Sequence, residues 1–372
     1  MRVLFTTLPL VGHLFPVVPL AWAMQCAGDE VLVATSSERF AQRITGAGLS
    51  AAVVRDVAIT DYARASVITG SGASLEQDLA ASARGWAALT APCAQAMTGL
   101  VREFRPDVVI SEPAEFAGRL AAARAGVPWV EQSWALPFPD GFRSAARDEL
   151  IRRGLPPLPA PDAIIHPSPP QLWPAEAPEG LPMRFVPYNG PVRYERRPSR
   201  GPGRRRAFVT FGSLLVAHGA GQGELFAKLL EELSAAGFDM VVGMDPDQGR
   251  LLGPLPPGVL RLGWVPLGHA LKECDLAIHH GGSGTSMSAA VRGVPQVILP
   301  SATDQFLTSA AMEAYGAAIR FLPGQVTPAA VRDAAEDVLS DPSYGAAATA
   351  LAREISALAA PGAVADNLWM LI

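Results

Sequence analysis

Cysteine is scarce in this chain of 372 residues. Cys26, Cys93 and Cys274 are an odd number with no metal-ligand spacing. That excludes a disulfide framework and a cysteine-based metal site, and makes buried, reduced thiols in a cytoplasm the expectation. Charge is sparse too, at 17% of residues with a net of −5, and it forms no long block of one sign. Without a basic face there is no electrostatic footprint for nucleic acid. The short clusters Arg196-Arg197 and Arg204-Arg205-Arg206 read as a solubilising patch or a positive rim on a cleft. Long apolar runs are also missing. Arg2 to Ala23 superficially resembles a signal peptide ending in Ala-Trp-Ala, but Gly12, His13, Pro16 and Pro19 interrupt it. A strand, a loop and a helix fit that stretch better, and no membrane span is expected.

What is present is apolar residues, 49% of the chain, enough at this length for two compact domains rather than one core. Apolar runs bounded by turns recur at Val31–Ala34, Val108–Ile110, Val127–Val130, Phe208–Phe211, Met240–Val242 and Val297–Leu299. Being continuous rather than alternating, they predict parallel sheets covered on both faces. Residues 187–206 are polar and rich in Pro, Gly and Arg, and cannot build a core. The reading is therefore an N-terminal domain over 1–190, a linker over 191–206, a second domain over 207–355 and a terminal helix over 356–372. Residues 56–90 and 134–158 look less regular and carry Tyr62, Trp86, Trp134, Phe138 and Phe142. Loop-borne aromatics of this kind either line an apolar pocket or pack locally.

The most informative stretch is His279-His280-Gly281-Gly282-Ser283-Gly284-Thr285, between a strand-like Asp275–Ile278 and a helix-like Ser286–Arg292. Glycines let backbone approach an anion, and a helix start offers N–H groups and positive potential, so a diphosphate is a natural ligand. Thr285 adds a hydroxyl and His280 a nitrogen, although a bare glycine turn has the same outline. Met287 replaces the third glycine of a dinucleotide fingerprint, and the motif lies in the second half, which argues against a dinucleotide oxidoreductase. Adjacent His279 and His280 at a strand end point to opposite faces and make no metal pair. In the first half, His13 follows the strand-like Arg2–Thr7 and is either a general base or a residue capping a helix start. Glu112, at the end of another strand, either holds that imidazole or caps a helix.

Further motifs appear in a fixed order. Phe211-Gly212-Ser213 and Trp264-Val265-Pro266 precede the glycine stretch; Gly293-Val294-Pro295-Gln296 and Asp304-Gln305 come after it. The set resembles the nucleotide-sugar half of family 1 glycosyltransferases. Gly12-His13-Leu-Phe-Pro16 resembles the loop in which that family puts its catalytic histidine, followed by a helix from Val17 to Ala27, and Pro167-Ser168-Pro169-Pro170 and Pro187-Tyr188-Asn189-Gly190 resemble the actinobacterial members that decorate polyketides and other antibiotics. The resemblance implies the α/β GT-B fold, two Rossmann-like parallel-sheet domains facing a central cleft, with a C-terminal helix packed back on the first. It implies a cytoplasmic, inverting transferase that moves a sugar from a dTDP-sugar to a hydroxyl or carbon of an apolar aglycone, with no metal or other cofactor. His13 is the implied catalytic base and Glu112 its partner, where many relatives carry aspartate. Implied donor contacts are Ser213, Trp264, Val265 and His280, then Gly282, Ser283, Gly284 and Thr285, then Asp304 and Gln305. Tyr62, Trp86, Trp134, Phe138 and Phe142 are the implied acceptor wall. Ser288 stands where plant relatives hold a glutamate for the ribose hydroxyls, which favours a deoxyribose donor, dTDP over UDP. A homodimer stays open, as do a nucleotide-sugar epimerase or hydrolase of the same fold and a non-catalytic helper protein built on it.

Overall fold

The computed structural model describes residues 1–58, 61, 75–191, 203–212, 221–301 and 303–371. They divide into two compact units, Met1–Gly190 with Ala357–Ile372, and Pro191–Ser356. Tyr62, Ser213 and residues 192–202 of the expected linker lie outside the described residues.

In the first unit the apolar runs become β1 (Arg2–Thr6), β2 (Glu30–Thr35), β3 (Ser50–Val53), β4 (Val108–Ser111), β5 (Trp129–Gln132), β6 (Ala163–His166) and β7 (Leu181–Pro182). They form one sheet in the order β3-β2-β1-β4-β5-β6-β7, and every pairing is parallel. The chain runs outward from β1 to β3, then restarts on the other side at β4, so strand order reverses between β1 and β4. Val3, Leu4 and Phe5 are fully buried, as a sheet covered on both faces requires. Around it lie α1 (Val11–Cys26), α2 (Glu38–Thr45), α3 (Leu75–Thr90), α4 (Ala94–Phe104), α5 (Ala117–Ala125) and α6 (Asp140–Arg152).

Three of these helices correct the sequence reading. Gly12 to Pro16 were expected in a loop with a helix from Val17, but α1 begins at Val11 and carries Pro16 and Pro19 inside it. Each proline removes a backbone donor. Burial of Leu14, Val17, Val18, Leu20 and Ala21 outweighs that loss, since packing rather than propensity decides a buried helix. Likewise the irregular-looking regions hold α3 and α6, so Trp86 and Phe142 are helix residues and only Trp134 and Phe138 lie in a connection. Cys26, expected to be buried, ends α1 exposed.

The second unit repeats the plan. Strands β8 (Arg205–Thr210), β9 (Phe238–Gly243), β10 (Val259–Gly263), β11 (Leu276–His279), β12 (Gln296–Ile298) and β13 (Ala318–Arg320) form a parallel sheet in the order β10-β9-β8-β11-β12-β13, reversing between β8 and β11. Its longer helices are α7 (Gly221–Ala235), α8 (Ser283–Val291), α9 (Thr303–Ala314), α10 (Pro328–Ser340) and α11 (Pro342–Ala357). Phe226, Leu230 and Leu233 of α7 pack with Val331, Ala335 and Val338 of α10 over Met240 and Val242. The terminal segment, expected as one helix, breaks before Pro361 into α11 and α12 (Pro361–Leu371) because proline cannot continue the ladder. Helix α12 belongs to the first unit, where Arg184 holds the break by donating through N to Ala359 O at 2.8 Å and through Nε to Leu358 O at 3.1 Å. Arg204, Arg205 and Arg206 form no free basic rim: they pair with Asp239, Glu336 and Glu273. No described helix is long and apolar enough to cross a membrane.

Candidate active site

Open parallel sheets bind ligands beyond the strand ends where their order reverses. In the first unit that point lies between β1 and β4, and the residues directly after both strands meet there. β1 leads into α1, placing His13 in its first turn; β4 ends at Ser111, placing Glu112 next. His13 Nδ1 and Glu112 Oε1 are 3.0 Å apart, and Glu112 is completely buried. Its extra methylene, relative to aspartate, is taken up by a fold of the side chain over nearby backbone. Oε1 also accepts from Leu8 N at 3.1 Å, while Oε2 accepts from Ala114 N at 2.7 Å and from Trp134 Nε1 at 2.9 Å. Burial alone would raise the Glu112 pKa. The charge and hydrogen bond of His13, with the Ala114 and Leu8 N–H groups, hold it instead below the usual carboxylate range. An ionised carboxylate is acceptor-only, so Nδ1 carries the proton and Nε2 is the basic nitrogen. Such a pair can take a proton from a hydroxyl and stabilise the imidazolium that results.

Aromatic rings surround the imidazole. Trp134 lies 4.1 Å from it, centroid to centroid, and Trp86 5.5 Å, edge on. Phe138 packs on Trp134 at 5.0 Å and Phe142 on Phe138 at 4.5 Å. The four rings thus form one cluster against His13, and each is no more than 3% exposed. Behind it lies a buried ionic network that the sequence reading missed. Arg119 of α5 donates to Glu112 O at 2.7 Å and pairs with Glu131 of β5 at 3.1 Å; Arg143 of α6 pairs with the same carboxylate and donates to Phe138 O at 3.1 Å. Removing one member of such a buried set strands the others, at about 3 to 5 kcal/mol. The only signal in the chain was polar Glu131-Gln132-Ser133 straight after an apolar run.

In the second unit the reversal lies between β8 and β11. Helix α8 begins at Ser283, three residues earlier than expected, so Gly284 and Thr285 are first-turn residues rather than loop residues. Open space adjoins Gly284, where an added Cβ would meet nothing within 4 Å. His280 is half-buried between two glycines: a Cβ on Gly212 would come within 2.6 Å of its Cε1, and one on Gly282 within 2.5 Å of its Nε2. Gly212 also has φ +75°, which favours glycine a second time. His279 plays a different part. Fully buried, its Nδ1 accepts from Gly281 N at 3.0 Å and its Nε2 faces Gln296 Oε1 at 2.8 Å, and burial lowers its pKa to about 4. It is a neutral brace for the glycine turn.

Asp304 Oδ2 accepts from Ser283 Oγ at 2.6 Å and from Ser283 N at 3.4 Å, so it caps α8. Gln305 turns toward Ser301, whose N–H donates to its Oε1 at 2.9 Å. Trp264 is half-buried, but the Val265 side chain belongs to a core with Phe208 and Leu271 and has only backbone to offer a ligand. Ser288 donates to Gly284 O at 2.6 Å and is fully buried.

Two family models cover most of the chain: the N-terminal domain of erythromycin biosynthesis protein CIII-like proteins over residues 22–212 and the C-terminal domain over 227–371. The chain belongs to this glycosyltransferase family. Among its relatives is the L-demethylnoviosyl transferase of Streptomyces niveus, 39% identical across 99% of this chain and 97% of that protein. The glycosyltransferase SsfS6 of Streptomyces sp. SF2575, solved with thymidine diphosphate, is 31% identical with a TM-score of 0.81 over 100% of this chain and 99% of that one. The spinosyn rhamnosyltransferase SpnG, also solved with thymidine diphosphate, is 30% identical with a TM-score of 0.85 over 99% and 100%. As a member of this CIII-like family the chain is a GT-B glycosyltransferase of natural-product biosynthesis, with two parallel-sheet units.

Proposed function

We propose that this enzyme transfers a sugar, with inversion, from a dTDP-sugar to a hydroxyl of an apolar aglycone, using His13 as general base. The observation that carries the reading is the buried His13–Glu112 pair at the strand reversal of the first unit, with Nε2 left as the basic nitrogen. His13 removes the acceptor proton as the oxygen attacks the anomeric carbon, and Glu112 stabilises the imidazolium. The departing diphosphate is met by His280, Thr285 and the backbone of Gly282 to Gly284 at the start of α8. Negative charge is met there by fixed donors, so the donor site works without a divalent metal. Among the described residues no three His, Cys, Asp or Glu gather as ligands.

Deoxyribose is favoured because Ser288, buried and turned onto Gly284 O, offers no carboxylate to a ribose diol. Thymidine diphosphate in the SsfS6 and SpnG structures supports the same donor class. Asp304 and Gln305 are assigned to the sugar hydroxyls, with Asp304 exchanging its bond to Ser283 for one to the donor. Trp134, Phe138, Trp86 and Phe142 are assigned to a flat, apolar acceptor that opens the cluster as it enters. No carboxylate is assigned as a nucleophile, so displacement is direct. The test is product NMR with dTDP-α-D-glucose and a panel of phenolic acceptors. A β-glycoside is expected; an α-glycoside eliminates direct displacement, and TDP release without an acceptor-dependent product identifies a hydrolase.

A further inference from the structure

Trp134 belongs to the aromatic cluster, yet it makes a contact that apolar packing does not require. Its indole N–H donates to Glu112 Oε2 at 2.9 Å while its ring lies 4.1 Å from the His13 imidazole. The other oxygen of the same carboxylate holds His13 Nδ1 at 3.0 Å. One side chain therefore touches both members of the pair, 22 residues along the chain from Glu112. A glutamate gains more from such a contact than an aspartate would, because one more rotatable bond separates its carboxylate from the backbone. Without the indole, Oε2 keeps one donor, Ala114 N at 2.7 Å, while Oε1 has Leu8 N and His13 Nδ1.

Given the reading of His13 as base, on which this inference rests, we propose that Trp134 is a positioning residue, the third member of a His13–Glu112–Trp134 unit. Its N–H is the second donor on Oε2 and draws negative charge toward that oxygen, away from the one that faces His13. Charged groups around the pair are Glu115, on the turn into α5, and Arg119, whose Nη2 holds Glu112 O at 2.7 Å. Glu131 and Arg143 in turn surround Arg119 and neutralise one another. Glu115 is occupied with the Ala117 and Gly118 N–H groups at the start of α5, at 2.9 and 2.8 Å, so none of these competes for Oε2. Loss of the indole N–H concentrates charge on Oε1 and tightens its hold on a proton at His13.

The experiment replaces Trp134 by Phe and, separately, by β-(3-benzothienyl)alanine, which keeps the bicyclic shape without an N–H. The His13 signal of histidine-labelled protein is titrated by NMR and identified among the six histidines by its loss in His13→Ala. Its midpoint is expected to rise by about half a pH unit to one unit in both variants, as for any weakening of the bonds to a charged partner. The acid limb of kcat/KM should move with it, and neither should move further in a Glu112→Gln background. An unmoved midpoint in the folded benzothienyl variant, or an equal shift in the Glu112→Gln background, overturns the proposal. His13→Ala with full turnover would instead defeat the base reading alone, since the titration reports the hydrogen bond whatever the base.

Discussion

The two units share a topology and differ in the few residues that come directly after the equivalent strands. Each reverses its strand order at the centre of a parallel sheet. Beyond that reversal the first unit places a charged residue in complete burial, Glu112, held by four donors. The second places glycines, a half-buried histidine and open space beside Gly284. The sheet thus supplies the place and the few residues after it supply the chemical character, a buried ionised carboxylate beside a histidine in one case and an open glycine turn at a helix start in the other. Each unit also buries a neutral histidine at a strand end. His166 accepts from Ser133 Oγ at 2.8 Å and donates to Pro178 O at 3.2 Å, and burial lowers its pKa to about 4, as for His279. Neither is a candidate base, which separates them from His13, whose Nδ1 lies 3.0 Å from the Glu112 carboxylate.

The largest effect should come from His13→Ala. Turnover should fall by roughly 10²-fold to 10⁴-fold, the contribution of a general base, while thymidine diphosphate affinity by calorimetry stays unchanged. A parallel loss of nucleotide affinity would break the division of labour between the units.

Next in size is a stability effect with a definite sign. A histidine held neutral in the fold with a pKa of about 4, against 6.5 unfolded, contributes stability that is fully present above pH 6.5 and lost as pH falls toward 4. Each such histidine accounts for at most about 3 kcal/mol of that loss. Urea unfolding at pH 7 and pH 4.5 should show the loss in the parent and a smaller one in His279→Asn. An equal loss in both would remove His279 from the account.

Thr285→Val should cost a charge-assisted hydrogen bond of about 1.5 to 3 kcal/mol, or one to two decades of thymidine diphosphate affinity. His13 should titrate as before in that variant, because the change is confined to the second unit. The smallest effect, none, is expected from EDTA: full activity in the chelator supports donors fixed in the fold, and loss restored by magnesium contradicts them.

Much of the fold was legible in the chain itself, and so was the glycine turn that opens α8. Continuous apolar runs mark strands buried on both faces, and glycines before a helix mark a phosphate cradle, because both are local demands on backbone and solvent. The ordered motifs named the family for the same reason, since each is a short stretch that meets one such demand. Helix limits around Pro16 and Pro19 were not legible, because burial of α1 outweighs the preference of proline for helix starts. Nor was the closing of Trp86, Trp134, Phe138 and Phe142 into one cluster, which needs α3 and α6 to meet.

Sequence alone determined the class of fold and the residue types at each strand end, for these depend on neighbours along the chain. Tertiary structure decided which histidine is paired with a buried carboxylate and which is a neutral brace. That depends on partners such as Glu112, 99 residues from His13, and Gln296, 17 from His279, and on how deeply each is buried. Burial sets the protonation state of a side chain, and only the packed chain sets burial.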